Sequence, residues 1–432
     1  MSQTNYIKNL LKIKDENIYF YENILDEGYR KHKKCNIVNA YLSYIPKFCI
    51  NCGCIFESTK DYEKKGFDKG SYVVYPAVVK YDTYIFLKKQ RIKCLHCNSS
   101  FSCSTSLVNK HSYISNKTKY SIAHDLMKKR SEKDIASDNN VSPNTVERVI
   151  DSYYDSSKFY KNYLPSHLSF DEFKSVKDAD GAMSFHICNS KNGKIIDIVE
   201  DRRLFKLLKY FSRYSHKARA NVKTITIDMY SPYISLIKQM FPNADIIIDK
   251  FHLTQLISRS LNKTRIMVMK HDKTNYNKLK RYWKLILKPQ DELDYSKWKR
   301  WTCFNHLLTE SDLVYYLINT NPILKSTYFI YQKLLKSLKN NDLKLLTNTL
   351  FSNNSNNSNI SEYMLTSIKT LKEFLPYIKN TFKYKYHNGY IEGNNNFIKV
   401  LKRIAFGFKS FLRMKARIMI CKGLIYPKRK EV

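Results

Sequence analysis

Acidic residues are the scarce class in this chain of 432: 38 Asp and Glu stand against 75 Lys and Arg, a formal net charge of +37 at pH 7. The cations run along the whole length and are not gathered in a tail. That balance points to a polyanionic partner, because neutralising phosphates releases their condensed counterions. An AT-rich coding bias would enrich Asn, Lys, Ile and Tyr, but it does not halve the acid count. No apolar run reaches the roughly eighteen residues that a membrane-spanning helix needs, so none is expected. No basic stretch followed by an apolar one opens the chain, so no secretory signal is expected. With 43% hydrophobic residues the chain can bury a core, and its length allows several domains. Cysteines number ten, seven of them before residue 104 and mostly in close pairs. Clustered CxxC pairs in a chain without a secretory signal point to metal, not disulfides.

Residues 1–44 read as an N-terminal leader with a short helix (Tyr6 to Lys14) and a strand-like piece (Asn17 to Tyr21), and carry no assigned chemistry. Cys35 is expected to be buried. Residues 45–112 contain Cys49-Ile-Asn-Cys52-Gly-Cys54 and Cys94-Leu-His-Cys97, two knuckles flanking a hairpin of Tyr72 to Lys80 and Thr83 to Lys89. Cys49, Cys52, Cys94 and Cys97 make a four-thiolate set suited to structural Zn²⁺, which leaves no open position for catalysis. Cys54, His96 and Cys103 are surplus; any could replace a ligand, or simply pack nearby. Residues 113–160 read as three short helices. Ser131 with Asp134 resembles a capping box, and Ser142-Pro143 opens the third helix, whose Val146, Val149 and Ile150 point inward. In a helix-turn-helix, Asn144, Thr145, Glu147 and Arg148 would face a DNA groove; the same spacing also fits plain three-helix packing.

Residues 161–265 read as strand, strand, strand, helix, strand, helix, strand, helix. Leu168 to Phe170 runs into Asp171-Glu172, and Met183 to Cys188 and Lys194 to Val199 flank Asn192-Gly193, a strong hairpin signal. A helix over Arg202 to Tyr214 leads to Thr224–Ile227, which ends at Asp228. Ser231 is the expected cap of the next helix, with Pro232 at its first position. Asn243 closes that helix, and Ile246–Ile248 ends at Asp249. Three antiparallel strands followed by parallel crossovers form the ribonuclease-H-like plan. Its first and fourth strands are neighbours, which places Asp171 near Asp228. Residues 266–375 read as a basic helical insertion holding Trp283, Trp298 and Trp301, which either pack in helix cores or stack on bases. Ser352 to Ser361 reads as a flexible polar loop. In residues 376–432, His387-Asn388-Gly389 is a turn and Glu392 opens a helix, where an acid also suits the helix dipole. Lys399 and Arg403 follow on roughly the same face as Glu392.

Taken together, CINCGC with CLHC, LSFDEFKSVK, TITIDMYSPYI, DIIIDKFH and HNGYIEGNNNFIKVLKRIAFGF resemble the DDE transposases of bacterial insertion sequences, most closely the ISL-three group. The resemblance covers nearly the whole chain. It implies a multidomain α+β protein: an N-terminal zinc ribbon, a helix-turn-helix, and a ribonuclease-H-like α/β catalytic core with a helical insertion. It carries the family's acidic triad onto Asp171, Asp228 and Glu392, and makes Asp249 and His252 a nearby element outside the triad. Three carboxylates suit Mg²⁺ or Mn²⁺, and two such ions about 3.5–4 Å apart serve in-line displacement at phosphorus. Asp171 and Asp228 would share a metal and Glu392 would serve the second ion. Lys399, Lys402 and Arg403 would contact DNA. The implied partners are double-stranded DNA, as terminal inverted repeats and target, and a second copy of the chain. The implied place is the bacterial cytoplasm, at the nucleoid when DNA is bound. Three other readings compete: an inactive or domesticated zinc and helix-turn-helix regulator, a zinc module for protein contact, and a related nuclease on branched DNA or RNA hybrids.

Overall fold

The computed structural model describes residues 3–153, 162–352, 359–384 and 389–425. The chain forms two compact units: residues 1–159 with 176–178 and 397–432, and residues 160–175 with 179–396.

The first unit begins with helix α1 (Gln3–Leu10) and six strands: β1 (Ile18–Arg30), β2 (Lys33–Leu42), β3 (Tyr62–Phe67), β4 (Ser71–Val78), β5 (Tyr81–Cys94) and β6 (Ser100–Ser102). All belong to one six-stranded sheet whose hub is β5. The first half of β5 pairs parallel with β2 and antiparallel with β4, and its second half pairs with β3 and β6. The expected hairpin is therefore present as β4 and β5. The expected leader is not separate, because β1 and β2 form a hairpin that joins this sheet. Ile18, Val38, Leu42, Val73, Ile85, Leu87 and Ile92 fill its core, and Cys35 is buried as expected.

Helices α2 (Asn116–Asp125), α3 (Glu132–Asp138) and α4 (Pro143–Tyr153) follow. Ser131 caps α3 by accepting from the Asp134 N–H at 3.0 Å. Val146, Val149 and Ile150 pack against Ile122, Leu126 and Ile135, as the periodicity predicts.

In the second unit, β7 (His167–Lys174), β8 (Met183–Asn189) and β9 (Ile195–Val199) form an antiparallel meander. Helix α5 (Leu204–Phe211) lies within the helix expected over Arg202 to Tyr214, and a further short helix, α6 (His216–Ala220), follows it. Strand β10 (Thr224–Ile227), α7 (Ser231–Met240), β11 (Asp245–Ile248) and α8 (Lys250–His271) complete the crossovers. The sheet order is β11-β10-β7-β8-β9, with β10 parallel to both β7 and β11. This is the ribonuclease-H-like order. Ser231 lies inside α7 and not at its cap; Tyr230 occupies the cap without a side-chain bond.

No boundary falls at residue 265, since α8 runs through it unbroken for 22 residues. Helices α9 (Tyr276–Arg281) and α10 (Trp283–Leu287) come next, then a two-stranded ribbon of β12 (Lys299–Arg300) and β13 (Leu307–Leu308). Helices α11 (Glu310–Ile318), α12 (Pro322–Lys339), α13 (Leu343–Phe351), α14 (Glu362–Glu373) and α15 (Leu375–Lys383) share one core with the sheet. Helix α15 covers the β11 edge: Thr381 Oγ1 and Asn380 Nδ2 donate to the carbonyls of Ile248 and Ile246 at 2.7 and 2.9 Å. Covering an edge this way removes a template for strand addition. Trp301 packs edge-on against Tyr282 and donates to the Leu308 carbonyl, whereas Trp283 and Trp298 are exposed. Residues 353–358 of the expected polar loop and most of the turn at 387–389 lie outside the described residues.

Helix α16 (Gly389–Ile404) begins in the second unit, and its last residues, from Phe397, count with the first. Helix α17 (Phe411–Cys421) belongs to the first unit, although its sequence position suggests the catalytic core. Ala416 and Ile420 join the α2–α4 core. The buried Arg417 guanidinium donates to the carbonyls of Leu126, Lys128 and Arg130, the chain leaving α2. A cation there meets carbonyls that the helix cannot satisfy itself.

Candidate active site and metal centre

Cys49, Cys52, Cys94 and Cys97 bring their sulfurs within 4.8 Å of one another, as the spacing predicts. Cys49 and Cys97 lie 3.7 Å apart, and Cys52 and Cys94 3.8 Å. A tetrahedral Zn²⁺ with Zn–S of about 2.3 Å requires sulfur–sulfur edges of about 3.8 Å, so the donor set fits that ion. Both knuckles use the same backbone device. Gly53 after Cys52 and Asn98 after Cys97 take positive φ of 76° and 57°, which turns each loop back over its thiols. Cys54 is a fifth sulfur, 3.8 Å from Cys94. His96 faces away to Asp61 at 2.9 Å, and Cys103 is buried against the Tyr44 carbonyl.

The acids are brought together by register. Thr226 of β10 stands beside Ser169 of β7. Two residues on, Asp228 comes abreast of Asp171, on the face opposite the buried Phe170 and Ile227. Asp171 Oδ1 accepts from the Glu172 N–H at 2.7 Å, and its Oδ2 from Asn395 Nδ2 at 2.6 Å. Burial, reinforced by the Asp228 charge, pushes the Asp171 carboxyl up to about 7. His252 Nε2 lies 2.8 Å from Asp228 Oδ1. It is off the line of a hydrogen bond, so this buried oxygen has a charge contact but no aligned donor. Burial opposes the imidazolium, yet Asp228, Asp249 and Asp171 together raise the His252 pKa above its ordinary value. Two crowded carboxylates, one with an unsatisfied buried oxygen, form a hard-oxygen site that a divalent cation fits.

Glu392 lies in the first turn of α16 and is exposed. Asn395, one turn on and on the same face, holds Asp171, so that face is turned toward the acids. Asn394 Nδ2 donates to the Gly193 carbonyl at 2.9 Å. Gly193 itself has φ of +68°, and a Cβ there would come within 2.9 Å of Tyr390. The Asn-Gly turn thus serves both the hairpin and the docking of α16. The three acids do not close into a single cage: among the described residues only the four cysteines converge within 4.8 Å.

Glu172, the other half of the acid pair, is occupied by Arg202 and by the Tyr233 hydroxyl at 2.7 Å. It lines a cleft of about 240 Å³ with Asp228, Tyr230, His252, Gln255 and Arg259. Sequence reading overlooked Gln255, Arg259 and Asn395. Their signal was helical spacing, three and seven residues after His252 and three after Glu392. Asp249 is buried at the start of α8.

Of the expected groove-facing residues, Asn144 and Arg148 are exposed on α4. Thr145 is buried at 6% exposure and bonds to Ser142 and Arg148, so it serves the helix start. Glu147 is turned to Arg413 of α17 at 2.5 Å. On α16, Lys399 and Arg403 are exposed and Lys402 is half-buried.

A ribonuclease-H-like sheet with paired acids on adjacent strands, together with a helix-turn-helix and a four-thiolate cluster, defines a DNA-acting protein. Residues 168–418 match the family described as Transposase, and residues 103–154 match the helix-turn-helix domain of transposase family ISL3. The first match spans more than half of the chain, which therefore belongs to the ISL3 transposases. The chain is also similar to a Lactococcus lactis subsp. lactis protein described as an ATP-dependent protease, 42% identical over 120 residues, 27% of this chain and 36% of that protein.

Proposed function

We propose that this chain cleaves the ends of an insertion sequence and joins them to target DNA. The observation that carries the proposal is the β7–β10 register, which brings Asp228 abreast of Asp171, with the Glu392-bearing helix held against Asp171 by Asn395. Asp171 and Asp228 would hold one Mg²⁺ or Mn²⁺ between them, and Glu392 would serve a second. Bound there, such ions stabilise the attacking and leaving oxygens of an in-line displacement at phosphorus. Water would attack first to nick the element's end, and the freed 3′-hydroxyl would attack target DNA. His252 keeps Asp228 in place and tempers its charge. Arg259 and Gln255, on the same helix face, line the cleft where a DNA phosphate would approach. Asn144 and Arg148 would read terminal repeats in the major groove, with Lys399, Lys402 and Arg403 on the backbone. Joining two ends requires at least two copies of the chain. Action on DNA would put the protein in the bacterial cytoplasm. The protease description gains no support from this sequence: no two of its ten glycines stand five apart, as a GxxxxGK phosphate loop requires.

The test is end cleavage in Mg²⁺ on a duplex carrying the element's terminal repeats. Wild type is expected to nick at the end, while Asp228→Ala and Glu392→Gln bind the duplex without nicking it. Nicking that survives both substitutions would remove these acids from the site.

A further inference from the structure

Residues 1–102 lie outside both family matches, yet they present a second charged surface beside the helix-turn-helix. Strands β1 and β2 are joined by two residues, Lys31 and His32, with Arg30 paired to Lys33. Strands β4 and β5 are also joined by two, Val79 and Lys80, with Val78 paired to Tyr81. The parallel pairing of β2 with β5 sets Cys35 beside Asp82, so the two tips emerge side by side. All four tip residues take positive φ, between 47° and 64°. That is the turn for which Asn-Gly is the cheapest sequence. Lysine and above all the β-branched valine are poor choices for it, so the tips are not explained by turn formation.

The tips are exposed and basic. Lys31, Lys33 and Lys80 are exposed, and among the described residues none is paired with an acid. Lys34 is held by Glu27 at 2.5 Å and is left out of the count. Tyr29 and Val79 stand out around them at 78% and 83% exposure.

The tips are also tied to the DNA-reading helices. The Arg30 guanidinium lies 3.7 Å from the centre of the Tyr72 ring and 5.3 Å from that of Tyr84. Tyr84 Oη accepts from Asn140 Nδ2 at 2.6 Å. Asn140 sits in the turn between α3 and α4, just before the exposed Asn144. On the other side of the contact, the Val74 carbonyl accepts from the Ser115 N–H and from Thr118 Oγ1, both at 3.0 Å, which fixes β4 to the start of α2.

We propose that the paired tips at Lys31–Lys33 and Val79–Lys80 form a second double-stranded-DNA contact, gripping backbone phosphates beside the groove that α4 enters. The contact rests on the DNA-binding reading of the helix-turn-helix. Its chemistry is charge on phosphate, so it adds affinity without reading sequence.

The experiment measures binding of the full zinc-loaded chain by fluorescence anisotropy over a KCl series. One duplex carries the terminal repeat and one is of random sequence. The variant carries Lys31→Asn, His32→Gly, Lys33→Thr, Val79→Asn and Lys80→Gly, which places Asn-Gly in both turns and removes three cations. If each lysine meets a phosphate, the log–log salt slope becomes shallower by about 2–3, and affinity falls about tenfold or more on both duplexes alike. Its melting temperature is expected to match or exceed that of wild type. Should it melt lower, Lys33→Ser with Lys80→Ser keeps both turns and is expected to flatten the slope by about 2. An unchanged slope overturns the proposal and leaves the tips to a protein partner. Wild-type binding without end cleavage would instead defeat the transposition reading alone.

Discussion

Replacing Arg417 by methionine should loosen the helix-turn-helix although the residue lies in α17, far from it in sequence. Methionine keeps much of the side-chain bulk and removes the guanidinium. Arg417 is 1% exposed and its donors reach three carbonyls: Leu126 O, Lys128 O at 3.1 Å and Arg130 O at 2.8 Å. Burial lowers the Arg417 pKa, against the opposing pull of Cys421, Glu132 and Asp125. Leu126 O keeps Cys421 Sγ at 3.2 Å and Lys128 O keeps the Arg130 N–H at 3.0 Å, so the substitution takes the donor from Arg130 O alone, at a cost of about 1–3 kcal/mol. Relief from burying a charge offsets part of that cost and the weakened contacts at the other two carbonyls add to it, which leaves a loss of about 1–3 kcal/mol. Arg413 is the internal control. Its pairs with Glu147 and Asp151 are partly exposed, and such surface pairs contribute about 0–1 kcal/mol. Hydrogen exchange over residues 116–153 reads the difference directly. Arg417→Met should speed exchange through α2 and α4 by about ten- to a hundredfold, and Arg413→Met by no more than about fivefold. Equal, small effects would refute the clamp.

Four further outcomes follow. Cys49→Ser should abolish zinc retention and unfold the knuckle loops, whereas Cys54→Ser should keep about one zinc per chain by metal analysis; zinc loss in both would make Cys54 a ligand. Asp171 has its folded pKa raised, so its contribution to stability is complete below about pH 4 and is lost as pH rises through about 7. Without divalent metal, Asp171→Asn should therefore melt higher than wild type at pH 7.5 and equally at pH 4, and Mg²⁺ should raise the melting temperature of wild type only. Asn395→Leu removes the donor to Asp171, and by analogy with outer-shell metal partners should lower end cleavage about 10–100-fold while duplex binding is retained. Gly193→Ala should destabilise the second unit and lower cleavage, because the added methyl group must displace Tyr390; thermal melting and the cleavage assay read the two effects.

The catalytic sheet was legible because its signals are local. Alternation marked β7 and β10, Asn192-Gly193 marked the β8–β9 turn, and strand ends marked Asp228 and Asp249. The four thiolates were legible for the same reason, since each knuckle is a short loop. What was missed depends on pairing across long separations. Strand β1 keeps an apolar alternation only at Ile18 and Phe20, and the rest of it is largely exposed, so residues 1–44 looked like a leader. Its place is set by β2 joining β5 about forty residues later, which no local pattern announces. Glu147 was misjudged likewise: it was expected to face a DNA groove, and only the docking of α17 on α4 gives it Arg413 as a partner. Thr145 was misplaced by a finer error, since its spacing puts it at the helix start, where its hydroxyl meets Ser142.

If Asp171 and Asp228 together hold the cation proposed for the reaction, a ligand-swap rescue at Asp228 will show it. Asp228→Cys replaces a hard oxygen donor by a softer sulfur. This variant is expected to bind the terminal repeats, to fail to nick them in Mg²⁺ and to recover measurable nicking in Mn²⁺, while Asp228→Ala recovers in neither. Full nicking by Asp228→Cys in Mg²⁺, or equal rescue of Asp228→Ala by Mn²⁺, would contradict shared coordination by Asp171 and Asp228.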